Sequence, residues 1–213
     1  MPMQENNSPI LVVDLEATCW DASTPEGASQ SIHTMEIIEI GCALSNQHGT
    51  VLDTRSFMVR PQRQPVLSEF CIELTHITQA MVDNAPPLAD AIVQMNAWLN
   101  DVAADALWCS WGNYDLNHLT AQCALDNADS QLLNLPHLNL KKLWRRTTRQ
   151  HKKTSLAHAL AYHELAFDGQ PHRGVDDAWN IARLMPFLDW SLQDELVSNP
   201  ADPAIHNPRQ KIR

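Results

Sequence analysis

Several common signals are missing from this chain. Its five cysteines, Cys19, Cys42, Cys71, Cys109 and Cys123, are odd in number and scattered, with no CxxC spacing. That excludes a disulfide framework and a zinc finger. No apolar run is long enough to span a bilayer, and no signal-peptide pattern is present. These absences predict a reduced, cytoplasmic protein with no membrane partner. Positive charge is scarce: 15 Lys and Arg against 25 Asp and Glu leave a net charge of −10. A body of that sign repels polyanions and argues against a general nucleic-acid coating protein, but not against a local basic path. There is no GxSxG and no Cys–His pairing by motif, so a serine or cysteine hydrolase has little support. No internal repeat or linker divides the 213 residues, a length that suits one domain with a tail.

What is present begins with "ILVVDLEATCWD", residues 10–21. The apolar run predicts a strand over Ile10–Glu16. Residues 21–34 read as a polar loop. Met35–Leu44 and Thr50–Val59 read as two more strands joined by the turn "SNQHG", which gives a three-strand meander. Ser68–Leu74 and Leu88–Val102 read as helices, the second with Leu88, Ile92, Met95 and Leu99 on one stripe. Ala106–Trp111 is a short apolar strand. Asp115–Asp126, Leu138–Thr147, Ser155–Glu164 and Val175–Leu188 read as helices, and the chain from Asp194 on as a frayed tail. Strands first, then helices alternating with further strands, predict an α/β fold with a mixed sheet layered by helices.

Acids gather where these elements end or begin. Asp14 and Glu16 stand two apart at a strand end, so both point to one face. Asp115 follows a short buried strand in "CSWGNYDLNHL". His172, Asp176 and Asp177 open a helix in "HRGVDDAWNIARL". Alone, each has an ordinary reading: Asp115 as a cap, His172 as a loop residue, Asp176 and Asp177 as partners of a helix N-terminus. A lone carboxylate in an apolar setting must be paired, neutralised or bound to a cation. Four carboxylates in one cleft would repel, and hard divalent cations would relieve the repulsion. Oxygen ligands without cysteine favour Mg²⁺ or Mn²⁺ over zinc. Two such ions roughly 4 Å apart stabilise an in-line displacement at phosphorus. A nearby histidine can take a proton from the attacking water.

D-x-E, a distant Asp after a strand, and H-x-x-x-x-D together resemble the DEDDh 3′→5′ exonucleases. The words "DLEATCWD", "MEIIEIG", "FCIELTHIT" and "FDGQPHRGVDDAWNIARL" are similar to the branch of the histone-mRNA 3′-exonuclease and the enhanced-RNAi exonucleases. The resemblance covers roughly residues 10–188. It implies a ribonuclease-H-like fold, with a flexible N-terminus over 1–9, an exonuclease domain over 10–190 and a C-terminal tail over 191–213. It implies Asp14, Glu16, Asp115 and Asp177 as ligands of two Mg²⁺ or Mn²⁺ ions, with Asp14 bridging both, and His172 as general base. It also implies that Ala17, Thr18, Cys19 and Trp20 line the pocket of the terminal nucleotide. Tyr114 falls where that branch often carries an aromatic. Fewer than ten residues precede the first strand, so an added N-terminal nucleic-acid-binding domain is not expected.

"KKLWRRTTRQHKK", residues 141–153, holds seven of the fifteen basic residues; the other 200 residues carry eight basic and twenty-five acidic groups. Lys141, Lys142, Arg145, Arg146 and Arg149 are therefore candidate phosphate contacts, with a solvated helix face as the equal alternative. Trp20, Trp111, Tyr114 and Trp144 could stack on unpaired bases, though Trp111 reads as core. The expected partner is the 3′ end of single-stranded RNA or DNA, cut to 5′-mononucleotides. The alternatives are a scavenger of dinucleotides and very short oligomers, and a binding module without turnover.

Overall fold

Strand β1, Ile10–Ala17, is covered on both faces. Its side chains alternate. Leu11, Val13 and Leu15 enter one apolar cluster with Ile92, Met95, Leu99 and Leu119. Ile10 and Val12 enter a second cluster, with Leu143, Trp144, Leu160 and Ile181. Asp14 and Glu16 continue that second row, so the acids interrupt the apolar pattern on one face only, at the strand's end.

The computed structural model describes residues 9–151 and 154–199. β2 (Ile37–Ser45) and β3 (Val51–Met58) complete the antiparallel meander. β4 (Leu107–Ser110) pairs parallel with β1, and β5 (His137–Asn139) parallel with β4. β6 (Val197–Ser198) closes the edge antiparallel to β5, giving a six-stranded sheet in the order β3-β2-β1-β4-β5-β6. This is the mixed sheet, layered by helices, that the order of elements in the sequence predicts.

Helices α1 (Pro25–Ala28), α2 (Glu69–Thr75) and α3 (Gln79–Asp83) lie in the connections. α4 (Leu88–Val102) and α5 (Tyr114–Asp126) cover one face; α6 (Leu140–Thr148), α7 (Leu156–Tyr162) and α8 (Gly174–Ala182) cover the other. The α4 stripe Leu88, Ile92, Met95 and Leu99 is fully buried, each side chain contributing roughly 1.5–3 kcal/mol. No helix among the described residues is long and apolar enough to cross a membrane, and all five cysteines are free.

The structure corrects several expected boundaries. The helix expected from Leu138 begins at Leu140, because residues 137–139 pair with β4 and the Asn139 side chain caps α6 by accepting the Lys142 amide at 2.9 Å. The helix expected over Val175–Leu188 stops at Ala182; Pro186 lies in a separate 3₁₀ turn, Met185–Phe187, since proline lacks the amide a helix interior needs. The stretch read as a loose tail supplies β6. The polar loop 21–34 contains α1, capped by Thr24. Trp144 is fully buried, its indole N–H on His163 Nε2 at 2.9 Å, so it is core and not a stacking platform. Residues 1–8, Lys152, Lys153 and residues 200–213, on which other expectations fall, lie outside the described residues.

Candidate active site

Two glycines let α8 reach the acids of β1. A Cβ on Gly41 of β2 would stand 1.9 Å from the Gly174 carbonyl carbon, and one on Gly174 would stand 2.9 Å from the Asp14 carbonyl oxygen. The first turn of α8 therefore rests on bare backbone, and Asp177, one turn on, arrives beside β1. Asp14, Glu16 and Asp177 each offer an oxygen within 4.8 Å of the other two. Asp115, in the first turn of α5, is buried beneath them; its Oδ1 accepts the Leu15 amide at 3.2 Å. All four acids and His172 line one cavity of about 260 Å³, together with Trp111, Tyr114 and Leu156. His172 is exposed on the rim, and its amide donates to Asp177 Oδ2 at 2.7 Å.

Burial and mutual repulsion dominate the electrostatics. Desolvation, then the charges of Asp115, Asp177 and Glu16, push the Asp14 carboxyl well above the usual range. Glu16 is pushed up to about 9 by desolvation and by Asp177 and Glu39. Asp115 and Asp177 rise to about 6, again chiefly through desolvation; hydrogen bonds from Leu15 and Ser110 restrain Asp115, and the His172 amide restrains Asp177. The leading charges on both Asp14 and Glu16 are those of neighbouring carboxylates. The residues present thus fit a hard divalent cation: the ligand atoms are all carboxylate oxygens, and those of Asp14, Glu16 and Asp177 crowd within 4.8 Å of one another.

The segment after Glu16 lies beside the acid cavity and not in its lining. Ala17 and Thr18 are buried and do not line the acid cavity. The Thr18 hydroxyl accepts the Glu36 amide at 2.9 Å and donates to Gln64 Oε1 at 3.2 Å, so it is held inside the protein. Cys19 and Trp20 are half-buried, outside the cavity lining. Trp111, read as core, is half-buried and lines the cavity, whereas Tyr114 is exposed on its edge. The basic residues divide. Lys141 stands at the site, its Nζ 3.9 Å from where a Gly112 Cβ would be, and its charge lowers the Asp115 carboxyl. Lys142, Arg145, Arg146 and Arg149 line a separate groove of about 630 Å³ with His151 and Glu195. There Arg146 pairs with Glu195 at 2.7 Å, and Arg145 donates to the carbonyls of Gln150 and His151 at 3.3 and 2.6 Å.

Two buried acids escaped the sequence reading, although the same question applied to them. Glu36 and Glu39 interrupt the apolar run "MEIIEIG". Glu36 accepts the amides of Gln62, Arg63 and Gln64 at 2.7–2.8 Å and pairs with the Arg63 guanidinium at 3.3 Å. Glu39 lies opposite Glu16 in the β1–β2 register. A charge inside a strand was the available signal; the donors that answer it come from distant segments.

The chain belongs to the Exonuclease family, whose sequence model matches residues 11–185. It is 28% identical over 194 residues to the 3′-5′ exonuclease Snipper of Drosophila melanogaster, covering 83% of this chain and 67% of that protein. It is 32% identical over 182 residues to the 3′-5′ exoribonuclease 1 of Mus musculus, covering 82% of this chain and 51% of that protein. It thus spans about half the length of that mouse relative. Among solved structures, the nuclease domain of 3′hExo, a DEDDh family member bound to rAMP, superposes with a TM-score of 0.75 at 29% identity, over 86% of this chain and 92% of that one.

Proposed function

We propose that this chain is a metal-dependent 3′→5′ exonuclease that releases 5′-mononucleotides from the ends of single-stranded RNA, with Mg²⁺ or Mn²⁺ as its cofactor. One observation carries the reading. Four carboxylates and His172, from three separate segments, converge on one cavity, where the strongest charges on Asp14 and Glu16 are those of other carboxylates. Asp14, Glu16 and Asp177 would hold the ions, with Asp115 as the further ligand. When bound, the ions would neutralise charge that develops on the phosphoryl oxygens. His172 on the rim takes a proton from the attacking water. Asp177 also fixes the His172 backbone through its amide. The exposed Tyr114 ring flanks the terminal nucleotide, with Cys19 and Trp20 beyond it. Lys141 leads from the cavity toward the Lys142–Arg149 groove, which takes upstream phosphates without base preference.

RNA is favoured over DNA because the mouse relative is named an exoribonuclease and the 3′hExo domain is described as bound to rAMP. The test uses 5′-labelled and 3′-labelled single strands of RNA and DNA side by side. The reading expects a ladder shortening from the 3′ end of RNA in Mg²⁺ or Mn²⁺ and none in EDTA. Full turnover in EDTA overturns it. Cutting restricted to dinucleotides supports the scavenger instead, and binding without cutting supports a module lacking turnover.

A further inference from the structure

A fifth carboxylate stands beside the four and is used differently. Glu39 faces Glu16 across the sheet, on the same side, yet it is fully buried and does not line the cavity. Both of its oxygens are engaged. Oε1 accepts the Ser56 hydroxyl at 2.6 Å and Arg173 Nη2 at 3.2 Å; Oε2 accepts Arg173 Nε at 3.1 Å and the Gly174 amide at 3.0 Å. Two parallel bonds from a planar guanidinium fix angle as well as distance.

Arg173 lies between His172 and the start of α8. His172 has a φ of 63°, a left-handed backbone that a non-glycine residue keeps only where its surroundings over-determine it. Two carboxylates supply that constraint. Asp177 holds the His172 amide, and Glu39 holds the next two residues. Behind them, the Gly41–Gly174 contact leaves α8 no room to slide toward the sheet.

We propose that Glu39 and Arg173 form a positioning clamp, which sets the His172 ring over the acid cavity and holds Asp177 against Asp14 without touching substrate or metal. The proposal rests on the nuclease reading of His172 and Asp177. A ring displaced by about 1 Å loses its line to the attacking water, a defect on the order of 10²-fold in rate. Binding of the nucleotide, made elsewhere in the cavity, is spared.

Arg173→Met removes the fork, and Arg173→Lys keeps the charge with a single donor group. Hydrolysis of a single-nucleotide p-nitrophenyl phosphodiester at saturating Mn²⁺ reads the chemistry; amide hydrogen exchange over residues 170–178 reads the geometry. For Arg173→Met, kcat falls by about 10²-fold with KM within about twofold. Exchange over 170–178 quickens while α4 stays as protected as before. Arg173→Lys is intermediate in both readouts and serves alone should Arg173→Met not fold. The exchange result needs no turnover, so it decides the clamp even for a wild-type protein that cleaves nothing, an outcome that would instead overturn the nuclease reading. Unchanged kcat and unchanged local exchange in Arg173→Met overturn the clamp. So does faster exchange throughout the molecule with kcat and KM altered together.

Discussion

Asp14 and Glu16 on β1, and Glu36 and Glu39 on and just before β2, are acids set into neighbouring apolar strands. Their surroundings are opposite. The β2 acids lie at 0–1% exposure and are saturated: Glu36 by three loop amides and an arginine, Glu39 by a hydroxyl, an amide and a guanidinium fork. The β1 acids open onto a cavity and meet two more carboxylates there, whose charges favour their protonated forms. A carboxylate supplied with donors organises structure. A carboxylate crowded by its own kind is a liability that a divalent cation removes. Burial alone does not separate a structural acid from a functional one; the sign of its neighbours does.

The sharpest way to break this comparison is to neutralise one acid of each kind. Asp14→Asn should lower exonuclease activity by roughly 10²–10³-fold or more, while the melting temperature in EDTA stays level or rises, because a repulsion is lost. Equal activity in the variant and the parent would remove Asp14 from the chemistry. Glu36→Ala should do the reverse to stability. It strands three amides and costs about 3 kcal/mol or more, seen as a fall of roughly 6–12 °C in melting temperature.

The β1 group should also make the cation-free protein sensitive to pH. Unfolded carboxylates titrate near ~4, whereas Asp115 and Asp177 titrate at about 6 and Glu16 at about 9 in the folded chain. The folded state therefore holds these protons more tightly. Their contribution to stability is full below the unfolded value and is lost as pH rises through about 6 and then about 9. In EDTA the melting temperature should drop by several degrees between pH 5 and pH 8, and millimolar Mg²⁺ or Mn²⁺ should cancel most of the drop. A flat profile in EDTA would show that these carboxyls are neither desolvated nor crowded by like charge.

The smallest expected effect concerns the basic groove. Lys142→Glu with Arg149→Glu should slow digestion of long strands severalfold and reduce the salt slope of binding by about 1.5–3 in log–log terms, leaving folding intact. An unchanged slope would make the groove a solvated helix face.

Much of this was legible in one sequence because it is periodic or local. β1, the meander and α4 follow from alternation and a stripe, and α4 keeps its expected bounds. The meeting of Asp14, Glu16, Asp115, Asp177 and His172 in one cavity was legible because each sits at an element boundary. β5 was not, since three residues carry no period and its strand character comes from pairing with β4. The inward hydrogen bonds of Thr18 were not legible, because its partners Glu36 and Gln64 come from distant segments. Glu39 was hidden for the same reason: its partner Arg173 is 134 positions away.

The central claim is that the β1 acids and Asp177 hold divalent cations. Calorimetric titration of Mn²⁺ into EDTA-stripped protein tests it most directly, with wild type set against Asp14→Asn and Asp177→Asn, each shown to be folded. The account predicts saturable binding in the wild type that both substitutions weaken at least tenfold. Equal Mn²⁺ affinity in all three proteins would contradict it.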